Sequence, residues 1–118
     1  MPLRGIRGAT TVPEDNKYLV LAATQELLST MQTANNFVPE DLASILFTAT
    51  PDLCSVYPAQ AARLLGWNQV PLLDFQEIAV PGALPHCIRI LIHLNTEQPQ
   101  NEIKHIYLGE ARSLRPDL

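Results

Sequence analysis

The run Pro85-His86-Cys87-Ile88-Arg89-Ile90-Leu91-Ile92-His93-Leu94 is strongly apolar with one arginine near its middle, and it constrains the fold more than any other stretch. With a strand's two-residue period, Ile88, Ile90, Ile92 and Leu94 share one face, and Cys87, Arg89, Leu91 and His93 share the other. The first face is a core wall. The second is mixed, and its guanidinium, which stays charged, must reach water, a carboxylate or an anionic ligand.

The flanking stretches supply partners for this strand. Leu3 to Thr11 reads as a first strand, with Arg7 between Gly5 and Gly8, where a ligand or another backbone can come close. Asp15 is the expected N-cap of an amphipathic helix from about Asn16 to Ala34, on which Val20, Ala23, Leu27, Met31 and Ala34 recur at helical steps before Asn35-Asn36 ends it. Leu42 to Thr50 reads as a second strand. In Tyr57–Gly66, Pro58 at a first-turn position and Gly66 just past the end frame a short helix, on which Gln60 and Arg63 share a face. Val70 to Ile78 reads as a third strand carrying Asp74 and Glu77, followed by a turn-rich link from Val80 to Pro85. Glu102 to Leu114 reads as short helical turns, and residues 115–118 as a tail able to fold over an opening.

Four strands and two helices in the order β-α-β-α-β-β point to an α+β fold, one small domain over residues 1–118 with a mixed β-sheet and helices on one face. The mixed strand faces then have no intramolecular cover, which favours symmetric association with ligand sites between subunits. The 118 residues, 47% hydrophobic and 17% charged, suffice for a core without staples. A net charge of −4 argues against a nucleic-acid surface, and no apolar run approaches membrane-spanning length, so a cytoplasmic protein is expected. Cys54 and Cys87 read as free thiols of a reducing compartment. His86, His93 and His105 lack metal-ligand spacing, and no GxGxxG, Walker or GxSxG motif occurs, so neither metal nor cofactor is expected. Six of the eight basic residues are arginines (Arg4, Arg7, Arg63, Arg89, Arg112, Arg115), a bias suited to bidentate recognition of carboxylate or phosphate.

Five stretches together resemble the monofunctional AroH-class chorismate mutases: Arg4-Gly5-Ile6-Arg7-Gly8-Ala9-Thr10-Thr11, Ala49-Thr50-Pro51-Asp52-Leu53, Pro58-Ala59-Gln60-Ala61-Ala62-Arg63, Cys87-Ile88-Arg89-Ile90 and Leu114-Arg115-Pro116-Asp117-Leu118. The resemblance implies a homotrimeric pseudo-α/β-barrel and a cofactor-free [3,3] rearrangement of chorismate to prephenate, in aromatic amino acid biosynthesis through the shikimate pathway. It implies that Arg89 reaches the breaking ether oxygen and a carboxylate, that Arg7 and Tyr107 hold a carboxylate, and that Glu77 accepts from the ring hydroxyl. Tyr57, Ala59, Leu72, Leu73 and Leu114 join the substrate-binding residues, with Arg63 and Arg115 at the mouth. The site is expected between subunits, with Arg7, Asp74, Glu77, Arg89 and Tyr107 from one chain and Tyr57, Ala59, Gln60 and Arg63 from its neighbour.

Two positions depart from that family's pattern. Gln60 stands where Lys is usual, and Asp74 where well-known members have Cys. If Asp74 and Glu77 line one site they raise each other's pKa and share a proton, but a regular strand turns them to opposite faces unless a bulge intervenes. The competing expectation is a non-catalytic small-anion-binding trimer, which would use Arg7 and Arg63 but has no need of a cation at an ether oxygen. A trimeric enamine or imine hydrolase, with Glu77 positioning water, is a third.

Overall fold

In the computed structural model, which describes residues 1–115, the apolar run becomes the middle strand of a five-stranded mixed sheet. The strands are β1 (Leu3–Thr11), β2 (Leu42–Ala49), β3 (Leu72–Gln76), β4 (Cys87–Asn95) and β5 (Ile106–Tyr107), in the spatial order β3-β2-β4-β1-β5. β4 runs antiparallel to β1 and β2, while β3 and β5 add parallel to β2 and β1 at the edges. Ile88, Ile90, Ile92 and Leu94 are buried, and Arg89, Leu91 and His93 remain half-buried on the opposite face. Cys87 departs from this alternation because the end of β2 covers it: its N–H donates to Thr50 Oγ1, and its carbonyl accepts the Thr50 N–H.

Helix α1 (Lys17–Asn35) covers the apolar face with Val20, Leu27, Leu28 and Met31, and the short helix α2 (Gln60–Leu64) packs against α1. Asn16, not Asp15, caps α1, accepting the N–H groups of Tyr18 and Leu19. Asp15 turns instead to the loop after β2, where hydrogen bonds from Ser55 and Cys54 hold its carboxyl down at about 2. The left-handed Asn36 closes the helix, as asparagine tolerates that conformation.

Gly8 has a packing role. A Cβ there would lie 2.5 Å from Met31 Sδ and 3.2 Å from Leu27 Cδ1, so the missing side chain lets α1 settle on β1. Gly8→Val should therefore cost about 1–3 kcal/mol by overpacking, seen as a lower urea midpoint at unchanged slope. A wild-type midpoint would show that the helix side chains yield freely.

Two expectations need correction. The sheet has five strands instead of four, because the stretch expected as helical turns contains β5 between 3-10 turns at Gln100–Glu102 and Gly109–Leu114. Two residues are too short to show a period. β3 is shorter than its apolar pattern, since Pro71 has no N–H to extend it, though its carbonyl still accepts the Ile45 N–H; α2 begins only at Gln60, and Gly66 adopts a positive φ just past its end, as expected.

Candidate functional site

The strand register places Tyr107, Ala9, Arg89, Thr48 and Phe75 in one row across all five strands. Register partners share a sheet face, so Arg89 stands between two small side chains with an aromatic ring at either end of the row. The neighbouring row is Arg7, Leu91, Leu46 and Leu73. Glu77 lies one residue beyond β3, and its N–H donates to Ala49 O at 2.9 Å, which brings its side chain back over β4. There Glu77 Oε1 forms an ion pair with Arg89 Nε. Among the described residues, Glu77 Oε2 and Thr48 Oγ1 are buried without a hydrogen-bond partner. Such groups are costly unless something satisfies them, and here both can accept from a ligand hydroxyl.

Together these residues line a cavity of about 520 Å³ whose polar members include Arg7, Thr48, Glu77, Arg89, Tyr107 and Arg115. A second cavity, of about 550 Å³, is lined by Tyr57, Pro58, Gln60, Asp74 and Lys17 among others, and Phe75 borders both. Neither cavity has a ready thiolate. Burial pushes the Cys87 thiol up to about 11, and a hydrogen bond to Asp15 raises that of Cys54. Fixed cationic groups, one acceptor carboxylate and a phenol make the first cavity suited to a small dianion bearing a hydroxyl.

The model of the family described as chorismate mutase type I matches residues 3–118. The chain is 51% identical to the chorismate mutase AroH of Thermus thermophilus, over 98% of this chain and 96% of that protein. It is 46% identical to the chorismate mutase AroH of Bacillus subtilis, over 100% of this chain and 94% of that protein. The chain belongs to the chorismate mutase type I family, and so to the isomerases. A solved chorismate mutase from Clostridium thermocellum, 44% identical, superposes with a TM-score of 0.91, covering 92% of this chain and 97% of that structure.

The residues assigned by resemblance to the chorismate mutase family fall into two groups. Arg7, Glu77, Arg89, Tyr107, Leu114 and Arg115 meet at the Arg89 cavity, whereas Tyr57, Gln60 and Asp74 meet at the other. Arg63 is exposed in the last turn of α2, and Ala59 is buried in the core at its start. Leu72 packs on the core, and Leu73 is 53% exposed on the open sheet face. In the tail expected to close the opening, Leu114 and Arg115 reach the cavity, and residues 116–118 lie outside the described part of the chain.

Asp74 and Glu77 do not meet. The β2–β3 register from Leu72 to Gln76 is unbroken, so the pleat turns Asp74 away from the Arg89 cavity, and Asp74 Oδ1 accepts the Ala59 N–H at 3.0 Å. Burial raises the Asp74 pKa, opposed by that N–H and by Arg63. A raised folded-state pKa gives a stability contribution present below the ordinary value of 3.8 and lost as pH rises through the raised value. Asp74→Asn keeps the acceptor without the charge, so it should stabilise the chain at pH 7 by less than about 1 kcal/mol after solvent screening, with the gain vanishing below pH 3.8. Urea midpoints at neutral and acid pH test this, and a lower midpoint for Asp74→Asn at pH 7 would show that the charge-assisted bond outweighs burial.

Thr48 and Phe75 are site residues that sequence reasoning missed. Their signal was parity: Thr48 falls on the alternation of β2 that leaves Leu46 half-buried, and Phe75 on that of β3 that exposes Leu73. Only the register shows that both belong to the Arg89 row.

Proposed function

We propose that this chain isomerises chorismate to prephenate, and that the Arg89 cavity holds the reacting atoms. The observation that carries this reading is the Arg89–Glu77 pair on a face that also presents Arg7 and Tyr107, in a chain of this family. The rearrangement breaks one C–O bond and forms one C–C bond within a single molecule, with no proton transferred. The protein therefore has to select the compact conformer and to stabilise charge as it develops. Arg89 serves the ether oxygen and a carboxylate. Arg7 and Tyr107 hold a carboxylate, and Glu77 accepts from the ring hydroxyl, for which its buried Oε2 is suited.

Each chain contributes two partial sites in this reading, the Arg89 cavity and the α2 cavity with Tyr57, Gln60 and Asp74. A homotrimer joins one kind to the other across each interface and forms a pseudo-α/β-barrel. The apolar side chains of the open sheet face support association: Leu73 is 53% and Phe75 47% exposed in the single chain, beside half-buried Leu46 and Leu91. The two free cysteines fit a reducing compartment such as the cytoplasm, and no helix of the described residues is long and apolar enough to cross a membrane.

The test is direct. Purified protein without added metal or cofactor should abolish chorismate absorbance while prephenate accumulates. Saturable chorismate binding without turnover would instead identify an anion-binding trimer.

A further inference from the structure

We infer that His105 is a positioning residue for the site, its neutral imidazole Nδ1 serving as the acceptor that joins the Arg7 backbone to the segment carrying Tyr107. Arg7 N–H donates to His105 Nδ1 at 2.9 Å. This bond occupies a particular place in the sheet. β1 and β5 pair through Gly8–Ile106 and Ala9–Tyr107, and Leu108 N–H donates to Ala9 O at 2.9 Å. Arg7 and Ala9 direct their backbone groups to the same edge, and at Arg7 the ladder is completed by a side chain. The residue before His105 is fixed independently: Lys104 N–H donates to Asn35 Oδ1 at 2.8 Å, and Asn35 Nδ2 donates to Lys104 O at 2.9 Å. His105 is thus held from the helix side, and its ring locks β5 against β1 beside two residues of the site, Arg7 and Tyr107.

The bond requires an unprotonated Nδ1, which places the hydrogen of the neutral ring on Nε2. Protonation would set two N–H groups facing each other. The surroundings oppose protonation: burial lowers the His105 pKa, followed by the charges of Arg7 on β1 and Arg115 after the last 3-10 turn. A cavity that His105 lines also has Arg112 from that turn, Tyr107 from β5 and the uncharged Thr30 from α1 in its wall. A depressed histidine pKa means that the contribution is complete above the ordinary value of 6.5 and is lost as pH falls through the lower folded-state value.

The activity part of this inference rests on the proposed function, but the structural part does not, and the experiment separates them. In the ¹⁵N-labelled protein, the Arg7 amide should shift and lose exchange protection as pH falls below 6.5, following the His105 ring. Over the same range kcat/KM should fall roughly 3- to 10-fold, the worth of one hydrogen bond. His105→Asn carries Oδ1 where Nδ1 stood and cannot titrate, so it should keep the Arg7 amide protected and flatten the acid limb. His105→Leu should show the loss at every pH. An Arg7 amide indifferent to His105 titration overturns the inference, as does an acid limb unchanged in His105→Asn. If chorismate is not turned over at all, the function fails, and the amide titration still decides the positioning role.

Discussion

Arg89→Ala should lower kcat by ~10²–10³-fold, the loss associated with removing one donor aimed at developing negative charge. Arg89 is a β4 side chain between Ala9 and Thr48, so its backbone is set by pairing on both sides, and its removal leaves the Ile88/Ile90/Ile92 core wall untouched. A folded but inactive protein is therefore the expected product. Arg89→Lys should recover little, because an ammonium has one charged centre where the guanidinium presents a planar fork able to meet two oxygens at once. Truncation also leaves Glu77 without its cation in a mostly buried position, its side chain being 18% exposed, so part of the loss comes from repulsion between Glu77 and a dianionic substrate. The double variant Arg89→Ala/Glu77→Gln separates the two contributions: any activity it regains over Arg89→Ala measures that repulsion. Near-normal kcat in folded Arg89→Ala would return the residue to a structural ion pair.

Mixed trimers of two inactive parents should regain about a quarter of wild-type activity, the second large effect and the one that tests the shared site. Arg89→Ala removes the first partial site. Arg63→Glu alters the second at an exposed position in the last turn of α2, reversing a charge at the expected mouth without disturbing the core. Ala59 is unsuitable for this purpose, since it is 2% exposed and a larger side chain would unseat α2. In a cyclic trimer an intact site takes its first half from an Arg63→Glu chain and its second from an Arg89→Ala chain. Equal random mixing therefore restores about one site in four. The parents are denatured and refolded together, with mass measurement of the mixed species. Absence of recovery in verified mixed trimers would place the complete pocket within one chain.

The alternation in residues 85–94 and the helical spacing of Val20, Leu27 and Met31 were enough to expect a sheet with a helix on one side. Both patterns are local, and burial of one face is the force that produces each. Five motifs in order were enough to expect the family, because short runs around Arg7, Ala59 and Arg89 keep their identity wherever they lie in space. The two-residue β5 was not legible, since its partner, β1, is nearly a hundred residues away and two residues have no period. The Asp15 and Asn16 roles were also hidden: both are good caps, and the competing donors of Asp15 come from the loop at Cys54 and Ser55.

Residue types, local periodicity and motif order are properties of the chain as written, and they determined the family, the charged side chains available and the strand that carries Arg89. Which of those side chains meet was decided by the tertiary structure alone. Antiparallel and parallel pairing across five strands aligns Tyr107, Ala9, Arg89, Thr48 and Phe75 in one row. The unbroken pleat of β3 turns Asp74 to Ala59 N–H, while the bond from Glu77 N–H to Ala49 O returns Glu77 to Arg89. The physical reason is that register is a relation between distant segments. The alternation within each segment excludes a shift of one residue, which would expose the apolar face, but alignments two residues apart bury the same face, and neither segment alone records which of them sets Arg89 beside Ala9 and Thr48.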